Sequence, residues 1–190
     1  MTDIETLGTD SDSTIIQISA VAFDITTGET KDYFNQIVNI ERNEGDLKVT
    51  ARTIKWWLNS HPELLVELLN KGELSSEEVL NNFYEWLGQF EVENTYLWGN
   101  GILFDNKMIQ HQFEAIGLSY PIHYRNDRDV RTILELAAHK LGVSEKEIKN
   151  LVNDKIVDAR HTPHNALHDC YYQVALVSYC LDILTNGVKI

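Results

Sequence analysis

Asp3-Ile4-Glu5-Thr6, at the start of this 190-residue chain, sets two carboxylates at positions i and i+2. Side chains of an extended strand alternate between faces, so Asp3 and Glu5 point the same way. Two such charges about 4 Å apart repel by roughly 4 kcal/mol at an effective dielectric of about 20. A bound cation offsets that repulsion, and carboxylate oxygens are hard ligands that suit Mg²⁺ or Mn²⁺. Alone, the pair reads first as solvated acids at a frayed terminus. The metal reading gains weight only if further acids converge on it, and two stretches supply candidates. Asp105 follows a short apolar strand and a glycine pair and opens a helix, where an acid is also favoured by the helix dipole. His164-Asn165-Ala166-Leu167-His168-Asp169 puts His164 just before the final helix and Asp169 within it, at the border of the apolar stripe. An acid there needs a partner, and no lysine or arginine lies near it in sequence. His164 alone reads as readily as a capping or loop histidine. Cys170 reads as small core.

The elements that must position these residues follow from apolar spacing and turn residues. Alternation from Thr14 to Asp24 predicts a strand, Thr27-Gly28 a turn, and Tyr33 to Ile40 the next strand of a meander. Residues 41–52 read as loop. Helices are expected from Thr53 to about Ser60, from Pro62 towards Gly72, and after the capping box Ser75-Ser76-Glu77-Glu78. Thr95 to Trp98 reads as a short strand running into Gly99-Asn100-Gly101. A helix through Phe104, Met108, Ile109 and Phe113 stops at Gly117. Tyr120 to Tyr124 reads as a short strand and Asp129 to Gly142 as a helix. Ser144 and Glu147 box a short helix, residues 151–163 read as loop, and the last helix runs from about Asn165 to Leu184. A meander followed by strands alternating with helices is a mixed α/β sheet flanked by helices.

Composition fits one domain over residues 1–190. Hydrophobic residues make up 43% and charged residues 24%, with three prolines, which is a globular and not a disordered balance. No apolar run is long enough to span a bilayer, and no signal peptide opens the chain, so no membrane partner is expected. Cys170 and Cys180 fall in one predicted helix, about 15 Å apart, too far for a disulfide with each other, which points to a reducing, cytoplasmic compartment. The net charge of −13 argues against a broad phosphate-neutralising surface. Nucleic acid remains open as a partner if the contact is small and bound metal carries the charge. Trp56, Trp57 and Trp98 could stack on bases or pack in the core. Neighbours on a helix point about 100° apart, so at least one of Trp56 and Trp57 is expected inside. Arg128 and Arg131, read as three apart on one helix face, could meet a phosphate or pair with Asp127 or Asp129. Glu145, Lys146, Glu147 and Lys149 read as a solvated face.

The ordered set Asp-x-Glu, Phe-Asp and His-x4-Asp resembles the pattern of the DEDDh class of 3′–5′ exonucleases, which has the ribonuclease H-like fold. The resemblance extends over nearly the whole chain, through Ile54-Lys55-Trp56-Trp57, Trp98-Gly99-Asn100-Gly101, Phe104-Asp105-Asn106, Asn126 to Thr132 and His164 to Asp169. These stretches look like the phage and prophage branch that includes exonuclease A and exodeoxyribonuclease VIII-like proteins. The sister class needs a tyrosine four residues before the last Asp, where Asn165 stands. The resemblance implies a mixed five-stranded sheet flanked by helices. It makes Asp3, Glu5, Asp105 and Asp169 ligands of two divalent cations, Mg²⁺ or Mn²⁺, and His164 the general base. It also lays Thr6 and Leu7 against the terminal nucleotide of a single-stranded 3′ end. Family members carry an apolar run before Asp-x-Glu. Here Met1 and Thr2 alone precede Asp3, which either clips the first strand or places the start of the protein upstream. Asn100-Gly101 stands where many relatives outside the branch have His-Asn. Three readings follow: a single-strand DNA exonuclease, which the branch favours; an exoribonuclease trimming RNA 3′ ends; and a non-catalytic acidic protein binding a partner on a nuclease fold. Related exonucleases include dimers, and by that analogy a homodimer is an open arrangement.

Overall fold

β2 (Ile15–Phe23) is buried on both faces from Ile15 to Val21, and the fold is assembled around it. The computed structural model describes residues 1–43, 45–156 and 164–187. β1 (Thr2–Thr6) and β3 (Thr30–Ile37) flank β2 in antiparallel pairing, as the alternation predicts. The register sets Asp3 opposite Ser19 and Glu5 opposite Gln17. Cross-strand partners share a face, so the two acids and these two polar residues lie together. The opposite face of the meander carries Ile4, Ile18, Ala20 and Phe34 into a core with Val79, Leu80, Phe83, Met108 and Phe113. Truncating a wholly buried ring such as Phe83 to Ala would cost about 3–5 kcal/mol.

Helices cover both faces. α1 (Ala51–Ser60) and α2 (Pro62–Lys71) follow β3, with Pro62 at the first turn of α2. α3 (Ser76–Gly88) starts with the capping box expected at Ser75 and Glu78. α4 (Asp105–Ala115) follows β4 (Leu97–Gly99), and α5 (Val130–Leu141) follows β5 (Asp127–Asp129). α6 (Glu145–Ile156) begins at the Ser144–Glu147 box and continues into residues expected as loop; residues 157–163 of that expectation lie outside the described residues. α7 (Ala166–Asn186) closes the fold, packing Cys170, Val174 and Val177 against Val21, Leu134 and Trp98.

Three expectations are corrected. The short strand is Asp127–Asp129, paired in parallel with Leu97–Gly99, and not Tyr120–Tyr124. Asp-Arg-Asp carries no apolar signal; its conformation is held by pairing with β4. Arg128 is therefore in a strand and does not share a helix face with Arg131. The five strands also do not form one ladder, but a three-stranded antiparallel sheet and a two-stranded parallel one. Met1 and Val21 exchange both backbone bonds, at 2.9 and 2.8 Å. Alternation then turns the Ile4 N–H away from β2 and towards α4, where it acts on the Asp105 carboxylate and favours its ionisation.

Candidate active site

The side chains that anchor α7 are polar ones in the middle of β2. Gln17 is fully buried. Its Nε2 donates to Asn35 Oδ1 at 2.9 Å, and its Oε1 accepts the Ala166 N–H at 3.2 Å. The first residue of α7 is thereby pinned opposite Glu5. Ser19, opposite Asp3, donates its hydroxyl to Asn35 Oδ1 at 2.8 Å, and its carbonyl accepts from Cys170 Sγ at 3.5 Å. Farther along α7, the buried Gln173 donates Nε2 to Asp3 Oδ1 at 2.9 Å. Asn165 caps the helix through the His168 N–H, and Asp169 Oδ2 accepts the His164 N–H at 3.0 Å. His164 has φ 63°, the one non-glycine among the described residues in the left-handed region. Such strain, of order 1–3 kcal/mol, concentrates at functional positions.

Asp105 arrives from the other sheet. α4 starts at Asp105, at the end of the turn over residues 100–104 that leaves β4, and Gly99 allows it to sit close on β4. A Cβ at Gly99 would stand 2.8 Å from Asn106 Oδ1 and 3.5 Å from Asp105 Oδ2. Asn106 fixes the helix start by donating to the Leu97 carbonyl at 3.3 Å and to Asp127 Oδ1 at 2.7 Å.

The four acids feel one another. Burial first, then the charges of Asp105 and Asp169, push Asp3 well above the usual carboxylate range, against the Gln173 hydrogen bond. Glu5 rises likewise through burial and then through Asp3, Asp169 and Asp105. Burial lifts Asp105 to about 7, although backbone N–H groups and Arg131 oppose the rise. His164 is pushed down, by burial and to a lesser extent by His61, while Asp169 pulls it up. Ligand atoms of Glu5, His164 and Asp169 lie within 4.8 Å of one another. A set of hard oxygen donors, buried and mutually repelling, is what a divalent cation neutralises. The residues fit that group.

The structure thus brings Asp3, Glu5, Asp105, Asp169 and His164 together. Thr6 and Leu7 continue β1 but are buried, and Leu7 packs with Ile16, Trp57 and Leu68. Trp57 is 1% exposed and donates Nε1 to the Thr6 carbonyl at 2.9 Å. Trp56 is 39% exposed, its ring 4.9 Å from that of His164, so the tryptophan pair divides between core and surface as expected. Sequence reasoning missed Gln17 and Gln173, whose signal was a polar residue inside an apolar stretch. It also missed His61, whose ring is 4.5 Å from that of His164 and which carried no signal. A cavity of about 490 Å³ opens at the Met1 end of β1 and holds none of the four acids.

Acids from β1, α4 and α7 and the histidine before α7 thus gather at one place in an α/β fold. The chain matches the Rv2179c-like 3′–5′ exoribonuclease domain family over residues 1–181 and belongs to it, which makes it a 3′–5′ exonuclease. It is 22% identical to the exodeoxyribonuclease of enterobacteria phage T4 over 94% of this chain and 87% of that protein. Its fold is similar to the nuclease domain of 3′hExo, a DEDDh family member solved bound to rAMP, with a TM-score of 0.62, 16% identity and coverage of 100% and 92% of the two chains. A full-length 3′-exonuclease superposes with a TM-score of 0.55 at 17% identity, over 93% of this chain and 74% of the other. Among the described residues no helix is long and apolar enough to cross a membrane.

Proposed function

We propose that this protein removes nucleoside monophosphates from the 3′ end of single-stranded nucleic acid, with DNA the favoured polymer, as one exonuclease domain over residues 1–190. The observation that carries this reading is the gathering of acids from β1, α4 and α7, with ligand atoms of Glu5, His164 and Asp169 within 4.8 Å of one another and Asp3 and Asp105 near enough for their charges to act on that group. These four hold divalent cations, two of them, Mg²⁺ or Mn²⁺. Bound there, the ions supply positive charge that stabilises the scissile phosphate and the leaving oxygen. His164 accepts a proton from the attacking water; its depressed basicity keeps the imidazole neutral and able to do so near pH 7. Gln173 orients Asp3, and Gln17 fixes the start of the helix that carries Asp169. Thr6 and Leu7 wall the terminal nucleotide, with Trp57 holding the Thr6 backbone in place. The two cysteines are free and buried, in keeping with a reducing cytoplasm.

The DNA preference, and placement in the phage exonuclease A and exodeoxyribonuclease VIII-like branch, rest on the T4 relative's description as an exodeoxyribonuclease. A second reading, RNA, is favoured by the exoribonuclease description of the family. Discrimination between them lies in contacts to the 2′-hydroxyl. One assay tests both: 5′-labelled DNA and RNA of matched sequence, with Mg²⁺ or Mn²⁺, with EDTA, and with Asp105→Asn. The expected result is a metal-dependent ladder shortening from the 3′ end, stronger on DNA and absent in the variant. A ladder that survives EDTA or Asp105→Asn would overturn the site. Light scattering of the same preparation reads whether it is a homodimer.

A further inference from the structure

A chain of net charge −13 whose catalytic pocket is itself acidic must still hold a polyanion. The segment from Arg125 to Arg131 addresses that need. It alternates arginines with acids, and the acids are turned to structural work. Asp127 Oδ1 accepts from Asn106 Nδ2 at 2.7 Å and from the Tyr120 hydroxyl at 3.2 Å. Asp129 caps α5, accepting the Arg131 N–H at 3.1 Å. Neither forms an ion pair with Arg125, Arg128 or Arg131; among the described residues the ion pairs are Arg42–Glu78 and Lys71–Glu67.

The arginines are instead arranged on tyrosines. The Arg128 guanidinium donates to the carbonyls of Arg125 and Asp127 at 2.7 and 2.9 Å and lies 4.4 Å over the Tyr96 ring. Arg125 lies 5.6 Å from the Tyr124 ring centre, and its Nε donates to the Tyr124 hydroxyl at 3.0 Å. Tyr96 and Tyr124 are 51% and 71% exposed. Arg131 marks the site end of the series: its guanidinium is 3.2 Å from where a Cβ on Gly101 would stand, and its charge acts on Asp105. The Gly99–Asp129 pairing sits at the level of Asp105, and the Leu97–Asp127 pairing leads away from it.

We propose that Arg131, Arg128 with Tyr96, and Arg125 with Tyr124 form a strip that carries single-stranded nucleic acid upstream of the nucleotide being cleaved. Guanidinium groups outside ion pairs, as Arg125 and Arg128 are, take phosphates, and the exposed surface left on Tyr96, which carries Arg128, and on Tyr124, which carries Arg125 and His123, takes bases in a sequence-tolerant way. The strip rests on the exonuclease reading for its substrate, and the test separates the two. Arg125→Ala and Tyr124→Ala alter exposed side chains. Arg128 is half-buried and bonded to backbone, so it is kept out of the first test.

Binding of a 5′-fluorescein 20-mer with a phosphorothioate 3′ end is read by anisotropy over a salt series, with Mn²⁺ present, for wild type, each variant, the two combined in a double variant, and Arg42→Ala as a control. Hydrolysis of thymidine 5′-monophosphate p-nitrophenyl ester, which has no upstream nucleotides, is read in parallel. The expected result is about tenfold weaker 20-mer binding in the double variant. The log–log salt slope should fall by about 0.7 for the removed arginine, with ester hydrolysis within twofold of wild type and Arg42→Ala unchanged. Unchanged affinity and slope, or equal losses on oligonucleotide and ester, would overturn the strip. If wild type fails to hydrolyse the ester yet the variants still lose 20-mer binding, the strip stands and the exonuclease reading falls.

Discussion

Asp105 and Asp127 are acids on neighbouring elements, α4 and β5, yet the fold treats them in opposite ways. Asp127 receives donors from Asn106 and Tyr120 and joins two elements. Asp105 is 4% exposed and faces other carboxylates, with its carboxyl raised to about 7. The difference teaches how to separate a structural acid from a chemical one. A structural carboxylate is matched by side-chain donors, so its hydrogen-bonding capacity is already used within the fold. A chemical one is held where its charge is poorly compensated until a ligand arrives, and the rest of the fold carries that cost.

The sharpest way to break this contrast is the same substitution at both positions. Asp105→Asn should lower turnover by at least about 10³-fold, as losing a group central to charge stabilisation does, while Asp127→Asn should keep turnover within about threefold. Steady-state hydrolysis of an oligonucleotide checks both, and equal losses would erase the distinction. Next in size is the response to metal. Mn²⁺ at about 100 times its Kd should stabilise wild type by about 2.7 kcal/mol, a Tm rise of roughly 5–10 °C for a chain this long. Differential scanning fluorimetry should show that rise intact in Asp127→Asn and mostly lost in Asp105→Asn.

The pH dependence sharpens the comparison further. A carboxyl whose pKa is higher folded than unfolded binds a proton more tightly in the native state. Its contribution is therefore present below the unfolded value, near 4, and is lost as pH rises through about 7. In EDTA the wild-type Tm should fall over that window by the equivalent of a few kcal/mol, and Asp105→Asn should flatten the fall. A metal-free Tm that rises between pH 5 and 7 would contradict the assignment. The smallest expected effect is at the helix cap. Asp129→Ala removes the N-cap of α5 and should cost about 1 kcal/mol, with the metal-induced shift in Tm retained.

Much of the fold and the core of the site were legible in the chain itself. The meander, the Ser75 and Ser144 boxes, Pro62 at a helix start and the stripe of α7 follow from local spacing and turn chemistry, which act over a few residues. Asp3 and Glu5 share a face because a strand has period two. β5 was not legible, because Asp-Arg-Asp has no apolar period and its extended form comes from β4. Nor was the division of the strands into two sheets, which no local period signals.

The sequence by itself determined the types of the candidate site residues, their order and the elements that bear them, since these are properties of the chain read locally. Only the tertiary structure decided which groups face one another: Gln17 pinning α7, Gln173 on Asp3, His61 and Trp56 beside His164, and arginines turned out while Asp127 and Asp129 turn in. Those pairings join residues as far apart as Asp3 and Gln173, and the energies that select them arise once burial has removed water from between them.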